Sequence, residues 1–350
     1  MKCVLLSKFG DNTDVLSMAS EWPKPALNPN GGQMLVRVEA CSLGPGDAIF
    51  VTGVCSKVMQ PEGFPCVPGM DVCGIVEQIA EGSKFKVGDR VICSNGMLPV
   101  GGLAEYMAVD LKNAVLAPKN VDIVGAAALP NSPMSAMLTA RAARIKPGER
   151  VMILGGSGGV GTSLVQLMKD AGASFVATTS TNESLMKSLG ADMVINYRVQ
   201  KWWEIEEFKS KPFDVVVDCV GWRDEWKASK RAGVLKPYRQ GGRYLAVAFT
   251  DTPRMTTIWE GVTMFAPVLW RVLWTYLYPW VPRYVSIICE PVERDFEELA
   301  RVVEDGRLKP VIAQSSPYPF TIEGVKEAFA LQMSKHAHGK VVVKIVETRD

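Results

Sequence analysis

"ILGGSGGVGTSLVQLMKDAGA" (Ile153–Ala173) sets an apolar strand against a helix. Between them four glycines, Gly155, Gly156, Gly158 and Gly159, fill four of five positions, and a fifth, Gly161, opens the helix. From Gly156 the spacing is G-S-G-G-V-G, a GxGxxG match. The strand is "VMIL", and the helix carries Leu164, Val165, Leu167 and Met168 as its apolar face. Glycine lets the backbone turn sharply and approach a ligand closely. The helix N-terminus adds unpaired N–H groups and a partial positive charge suited to phosphate. In this context the loop predicts a dinucleotide site at Gly156, Ser157, Gly158, Gly159 and Val160.

Around that loop lie further apolar runs: "SFVATTS", "DMVINY", "FDVVVDCVG" and "GGRYLAVAF", with helical patterns between them. Strands alternating with helices predict a parallel sheet wound on both faces. Residues 1 to about 120 read differently. "MLVRVEACSL", "VCGIVEQIAEG" and "KVGDRVICS" are strand-like with glycine turns between them. Past the sheet, "YVSIIC" reads as a strand, "PVERDFEELARVVEDGRL" as an amphipathic helix and "HGKVVVKIVE" as a closing strand.

The strand following the loop ends Thr178-Thr179-Ser180-Thr181-Asn182, where an NAD-selective site usually carries an acid for the ribose 2′-OH. A neutral, donor-rich end favours NADPH. Tyr197 flanks the same corner, and Lys187 or Arg198 could add charge.

The chain has 350 residues, 47% of them hydrophobic and 22% charged, with a formal charge of +2. That size suits two domains, and the balance gives no basic excess for nucleic acid. Eight scattered cysteines include no CxxC pair, so they read as reduced thiols rather than a zinc lobe. The N-terminus reads as a strand, not a signal peptide. The expected location is intracellular: cytoplasmic, or mitochondrial or chloroplastic where a presequence has been removed.

With "PGMDVCGIV", "KVGDRVI", "GGLAEYMAV", "AAALPNSPMSA", the glycine loop, "SLGADMVINY" and "KHAHGKVVV" in view, the chain resembles the medium-chain dehydrogenases/reductases. The likeness is to their zinc-independent quinone oxidoreductase branch, and the ending is similar to that of the reticulon-interacting and chloroplast-envelope relatives. The resemblance implies an α/β fold: a GroES-like partial β-barrel from 1–123 completed by 310–350, and a doubly wound Rossmann domain at 124–309 with an aromatic insert at 255–282. The cofactor would lie in the cleft. Ser157, Gly159 and Val160 would face its pyrophosphate, and Ser180, Thr181 and Tyr197 its adenosine phosphate end. Gly221 would sit by a sugar, Ser135 and Ile288 near the nicotinamide, and His336, Ala337 and His338 over the cofactor.

Zinc-dependent relatives need a Cys where Gly44 stands and a His where Met70 stands, so no metal is expected. The family's "SLNPxD" here reads Ser42-Leu43-Gly44-Pro45-Gly46-Asp47, which removes an orienting amide. The expected chemistry is NADPH-dependent hydride transfer to quinones or α,β-unsaturated carbonyls, with a small apolar substrate. No general acid stands out; Asp47, Tyr106 and Ser135 are weak candidates. The alternative is a cofactor-binding interaction or membrane-surface protein with little catalysis.

Met255–Pro282 holds four of the nine tryptophans. Its longest uncharged run, Val272–Pro282, has 11 residues, against about 20 needed to span a bilayer. Three readings stay open: an aromatic cap on the substrate cleft, a homodimer interface, or peripheral contact with a membrane through Arg271 and Arg283.

Overall fold

The computed structural model describes residues 1–11, 13–28, 31–79, 83–95, 98, 100–221, 225–248, 254–289 and 292–346. The ends of three expected strands, at 80–82, 249 and 347, lie outside them. The chain divides into two units, Met1–Met134 with Glu290–Asp350, and Ser135–Cys289.

The first unit is built on antiparallel pairing. Its strands are β1 (Cys3–Leu6), β2 (Leu16–Ala19), β3 (Gln33–Leu43), β4 (Asp71–Ile79), β5 (Arg90–Ser94), β6 (Tyr106–Asp110) and β7 (Ala114–Leu116). Helix α1 (Pro45–Thr52) follows β3, α2 (Ile123–Ala127) follows β7, and α3 (Ser132–Ala143) leads into the second unit. The eleven-residue β3 pairs antiparallel with both β4 and β6. Its buried residues, among them Met34, Val36, Val38, Cys41 and Leu43, join the core of this unit.

The second unit begins with β8 (Arg150–Leu154), α4 (Gly159–Asp170), β9 (Phe175–Thr179), α5 (Glu183–Ser188) and β10 (Met193–Ile195). It continues through α6 (Glu206–Ser210), β11 (Val215–Asp218), α7 (Glu225–Ala232), β12 (Arg243–Ala246), α8 (Ile258–Leu277) and β13 (Arg283–Ser286). The six strands form one parallel sheet in the order β10-β9-β8-β11-β12-β13. Strands covered on both faces are largely apolar, as the three valines of "VVVD" in β11 are. The buried side chains of α4 pack on this sheet, and each full burial stabilises by roughly 1.5–3 kcal/mol.

The chain then returns to the first unit through α9 (Glu293–Glu304), β14 (Tyr318–Pro319), α10 (Ile322–Met333) and β15 (Val341–Lys344). β15 pairs antiparallel with β3. The division falls at 134/135 and 289/290, where the sequence reading put 123/124 and 309/310. At the second junction the cause is α9. It buries Phe296, Leu299, Val302 and Val303, and packs against β7 rather than the parallel sheet. Asn120 Nδ2 donates to the Val303 carbonyl at 2.8 Å and fixes that packing.

The aromatic segment expected at 255–282 is mostly one helix, α8, which runs through Pro267. Among the described residues no helix is long and apolar enough to cross a membrane.

Candidate functional site

β8 ends at Leu154 and the chain turns through Gly155, whose φ of 81° a side chain would strain. A Cβ on Gly156 would lie 2.0 Å from Thr178 Oγ1, and one on Gly161 2.2 Å from the Gly155 carbonyl. These two glycines are required by close packing. Gly158 differs, because a Cβ there meets nothing nearer than the Gly155 carbonyl at 3.7 Å. Gly158 is also the N-cap of α4 and supplies no side chain to its first-turn N–H groups. The result is a helix N-terminus with space in front of it, which fits a pyrophosphate.

Two residues hold this loop in a way the sequence did not reveal. Thr179 Oγ1 accepts from the Gly155 N–H at 2.8 Å, and Thr178 Oγ1 donates to the Ile153 carbonyl at 2.9 Å. Both hydroxyls, read as donors for a ribose phosphate, are turned toward β8 instead. The neutral corner therefore starts at Ser180. Its Oγ accepts from the Asn182 N–H at 2.9 Å, and the Asn182 carboxamide caps α5 through the Leu185 N–H. Thr181 follows half-buried, and Tyr197 lies half-buried just past β10. Lys187 is spent on the Asp192 carbonyl at 2.5 Å, and Arg198 is exposed.

At the end of β11, Asp218 is a third residue the sequence missed. One carboxylate oxygen accepts from the N–H groups of Val220 and Gly221, both at 2.9 Å. The other accepts from the Tyr244 hydroxyl at 2.7 Å. Burial pushes Asp218 above the usual carboxylate range, and these three donors oppose it. Gly221 takes φ 75°, so the turn depends on glycine and on the carboxylate together. An acid closing an apolar strand before Cys-Val-Gly is the only local signal, and it does not name its partners.

Ser135 stands buried in the first turn of α3. Its carbonyl accepts from Thr139 Oγ1 at 2.6 Å, and its side chain hydrogen-bonds Cys289. Ile288 lies two residues beyond β13, not on it, and is exposed. Gly156–Val160, Ser180, Thr181, Tyr197, Gly221, Ser135 and Ile288 all belong to the second unit.

The first unit holds the other candidates. Tyr106 begins β6 with the Lys24 ammonium 3.6 Å over its ring. His336, exposed, and Ala337 and His338, both half-buried, follow α10. Asp47 is fully buried in the first turn of α1, and its Oδ2 accepts from the Gly44 N–H at 2.7 Å. Its Oδ1 has no partner among the described residues. Beside it the buried Lys340 ammonium lies 3.4 Å from Asp71 Oδ2, and Ser94 donates to Asp71 Oδ1 at 3.0 Å. Burial, reinforced by Asp71, pushes the Asp47 carboxyl up to about 7.

Gly44 and Met70, the positions where the resemblance implies a zinc-dependent relative's ligands, do not fit a metal. Gly44 has no donor, and a Cβ on it would stand 3.5 Å from Lys340 Nζ. Met70 offers a thioether that already accepts from Asn131 Nδ2 at 2.9 Å. Among the described residues no group of three or more His, Cys, Asp or Glu side chains could hold a metal ion.

Comparison with known proteins adds three kinds of likeness. Residues 30–119 match the alcohol dehydrogenase GroES-like domain, and residues 189–343 match a family described as zinc-binding dehydrogenase. A chloroplastic NADPH-dependent alkenal/one oxidoreductase of Arabidopsis thaliana is 31% identical over 98% of this chain and 79% of its own length. A mitochondrial NAD(P)H oxidoreductase of Homo sapiens is 31% identical over 99% of this chain and 89% of its own length. The solved quinone oxidoreductase from Coxiella burnetii superposes with a TM-score of 0.79 at 26% identity, covering 99% of both chains.

Proposed function

The chain belongs to the medium-chain dehydrogenase/reductase superfamily, and from that membership we propose an NADPH-dependent reductase of quinones or α,β-unsaturated carbonyls that works without zinc. The observation that carries the reading is the uncapped N-terminus of α4 behind its glycine loop, beside a strand that runs into the neutral stretch Ser180-Thr181-Asn182 with no carboxylate in it. The substrate class follows the alkenal/one and quinone names of the relatives.

NADPH, when bound, supplies the hydride. The chain's own residues bind and orient it. Gly159 and Val160 would offer backbone N–H groups to the pyrophosphate, Ser157 would flank them, and Gly158, whose own N–H donates to the Gly155 carbonyl at 3.3 Å, would leave room for it. Ser180, Thr181 and Tyr197 would hold the 2′-phosphate, which a carboxylate would repel. Gly221, in the turn that Asp218 holds, would sit by a ribose, as the family resemblance implies. Ser135 and Ile288 are assigned to the nicotinamide end, and His336, Ala337 and His338 to the cofactor, by family resemblance alone. Orientation can supply about 7–11 kcal/mol of the barrier. Reduced quinones and enolates can take their proton from water, so no side-chain acid is required.

The test is initial-rate oxidation of NADPH and NADH with a panel of quinones and enals, alongside calorimetric titration of both nucleotides. Turnover with NADPH preferred over NADH is expected. Absence of turnover across the panel together with absence of nucleotide binding overturns the proposal.

A further inference from the structure

α8 presents to the outside a face without a single charge. Its exposed apolar residues gather on one side of the helix: Trp259, Val262, Leu269, Trp270, Leu273 and Tyr276, with Leu277 beside them. Trp259, Trp270 and Tyr276 are 73%, 67% and 71% exposed. The opposite side carries the buried Val268 and Thr275, and Trp274 packs edge-on against Trp226 of α7. The stripe runs the length of a 20-residue helix, about 30 Å at 1.5 Å per residue. A solvent-facing helix places charged residues there; this one places tryptophan, leucine and tyrosine.

Charge distinguishes between the candidate occupants. Residues 225–283 contain nine Lys or Arg and three Asp or Glu, in a chain whose totals are 39 and 37; of the nine, Lys236, Arg243 and Arg254 pair with Asp214, Glu149 and Glu260. Several of these cations stand at the base of α8. Lys230 Nζ lies 4.7 Å over the Trp226 ring and 4.9 Å over Trp274, with Arg271 5.7 Å from Trp226. Arg283 stacks on Tyr276 at 4.2 Å. Burial and the neighbouring Arg231 and Lys227 push the Lys230 ammonium down, a sign of crowded positive charge. Across a two-fold contact a patch meets its own copy, so two basic rims would face each other and repel. An anionic surface has the complementary charge.

We propose that α8 docks this protein onto anionic phospholipid bilayers, lying in the interface with its apolar stripe among the acyl chains and the basic residues of α7, Arg271 and Arg283 at the headgroups. The helix lies on the membrane and does not span it. Tryptophan and tyrosine suit that depth, because their rings are apolar and their N–H and O–H groups reach water. Binding combines buried apolar area with attraction to anionic lipid, and weakens with salt.

The test is flotation of the full chain with vesicles of phosphatidylcholine alone or with about one third phosphatidylserine. The wild type should float with the anionic vesicles, stay behind with the neutral ones, and lose roughly tenfold in bound fraction from low to high salt. The double variant Trp270→Glu, Leu273→Glu should stay behind with both, while its NADPH titration matches the wild type and shows an intact fold. In the unmodified chain, brominated lipid should quench tryptophan fluorescence. A wild type that fails to float, a double variant that floats equally well, or absence of quenching overturns the proposal. A light-scattering mass that halves in the double variant, with no flotation of either protein, assigns the stripe to a second copy and also overturns it.

Discussion

α4 and α8 are both amphipathic helices of the parallel-sheet unit, and they leave opposite things unsatisfied. α4 closes its apolar face, with Leu164, Val165, Leu167 and Met168 buried, and leaves its N-terminus uncapped behind Gly158. α8 does the reverse. Thr257 Oγ1 accepts from the Glu260 N–H at 3.2 Å and Glu260 Oε2 accepts from the Thr257 N–H at 3.1 Å, a closed capping box. Its apolar stripe is what stays open. An unpaired set of N–H groups asks for an anion; an uncovered apolar stripe asks for an apolar partner. The feature a helix does not satisfy internally is where its ligand is to be sought.

The largest expected effect comes from filling the loop under α4. Gly161→Val puts a side chain into the Gly155 carbonyl and the Gly156 Cα, so both NADPH binding and thermal stability should fall, measured by calorimetry and melting temperature. Gly158→Asp separates the two properties. Its Cβ has room, and aspartate is a good N-cap, so α4 would acquire the closed end that α8 has. NADPH binding should be lost while the melting temperature holds or rises slightly. If Gly158→Asp still binds NADPH, the contrast between the helices fails.

Next comes Thr179→Val, which leaves the Gly155 N–H without its acceptor. An unmade buried hydrogen bond costs about 1–3 kcal/mol, so NADPH should bind roughly tenfold more weakly with the fold retained.

A third effect is pH-dependent and lies in the other unit. Asp47 holds its proton up to about 7 in the fold and loses it near 3.8 when unfolded. The folded state therefore binds more protons between those values, and stability falls as pH rises through that window. Asp47→Asn keeps an acceptor for the Gly44 N–H and removes the charge. Its melting temperature should vary less from pH 4 to 7 than that of the wild type, and should gain on the wild type at pH 8.

The smallest effect is Thr257→Ala, which opens the capping box of α8 at a cost of about 1 kcal/mol. The melting temperature should drop by a few degrees, with NADPH binding untouched.

Several of these residues could be read directly from the chain. Gly156 and Gly161 were legible because the spacing that a strand–turn–helix needs is short and local, and β11 was legible from its three consecutive valines. Thr178 and Thr179 were misread. Their hydroxyls could serve a phosphate or the neighbouring strand, and only the parallel register of β8 with β9 settles which. Asp218 needed Tyr244, 26 residues away, and the Asp71–Lys340 pair is separated by 269 residues, beyond any local pattern.

Local chemistry specified the parallel sheet, the glycine loop and the missing zinc donors, because each follows from residue type and near-neighbour spacing. Folding in three dimensions specified the rest: that α9 belongs with β7, that Lys340 stands against the pocket of Asp47 and Asp71, and that the tryptophan stripe of α8 faces outward. Burial and pairing between distant segments depend on which surfaces meet, and a linear pattern shows that a face is apolar without showing what covers it.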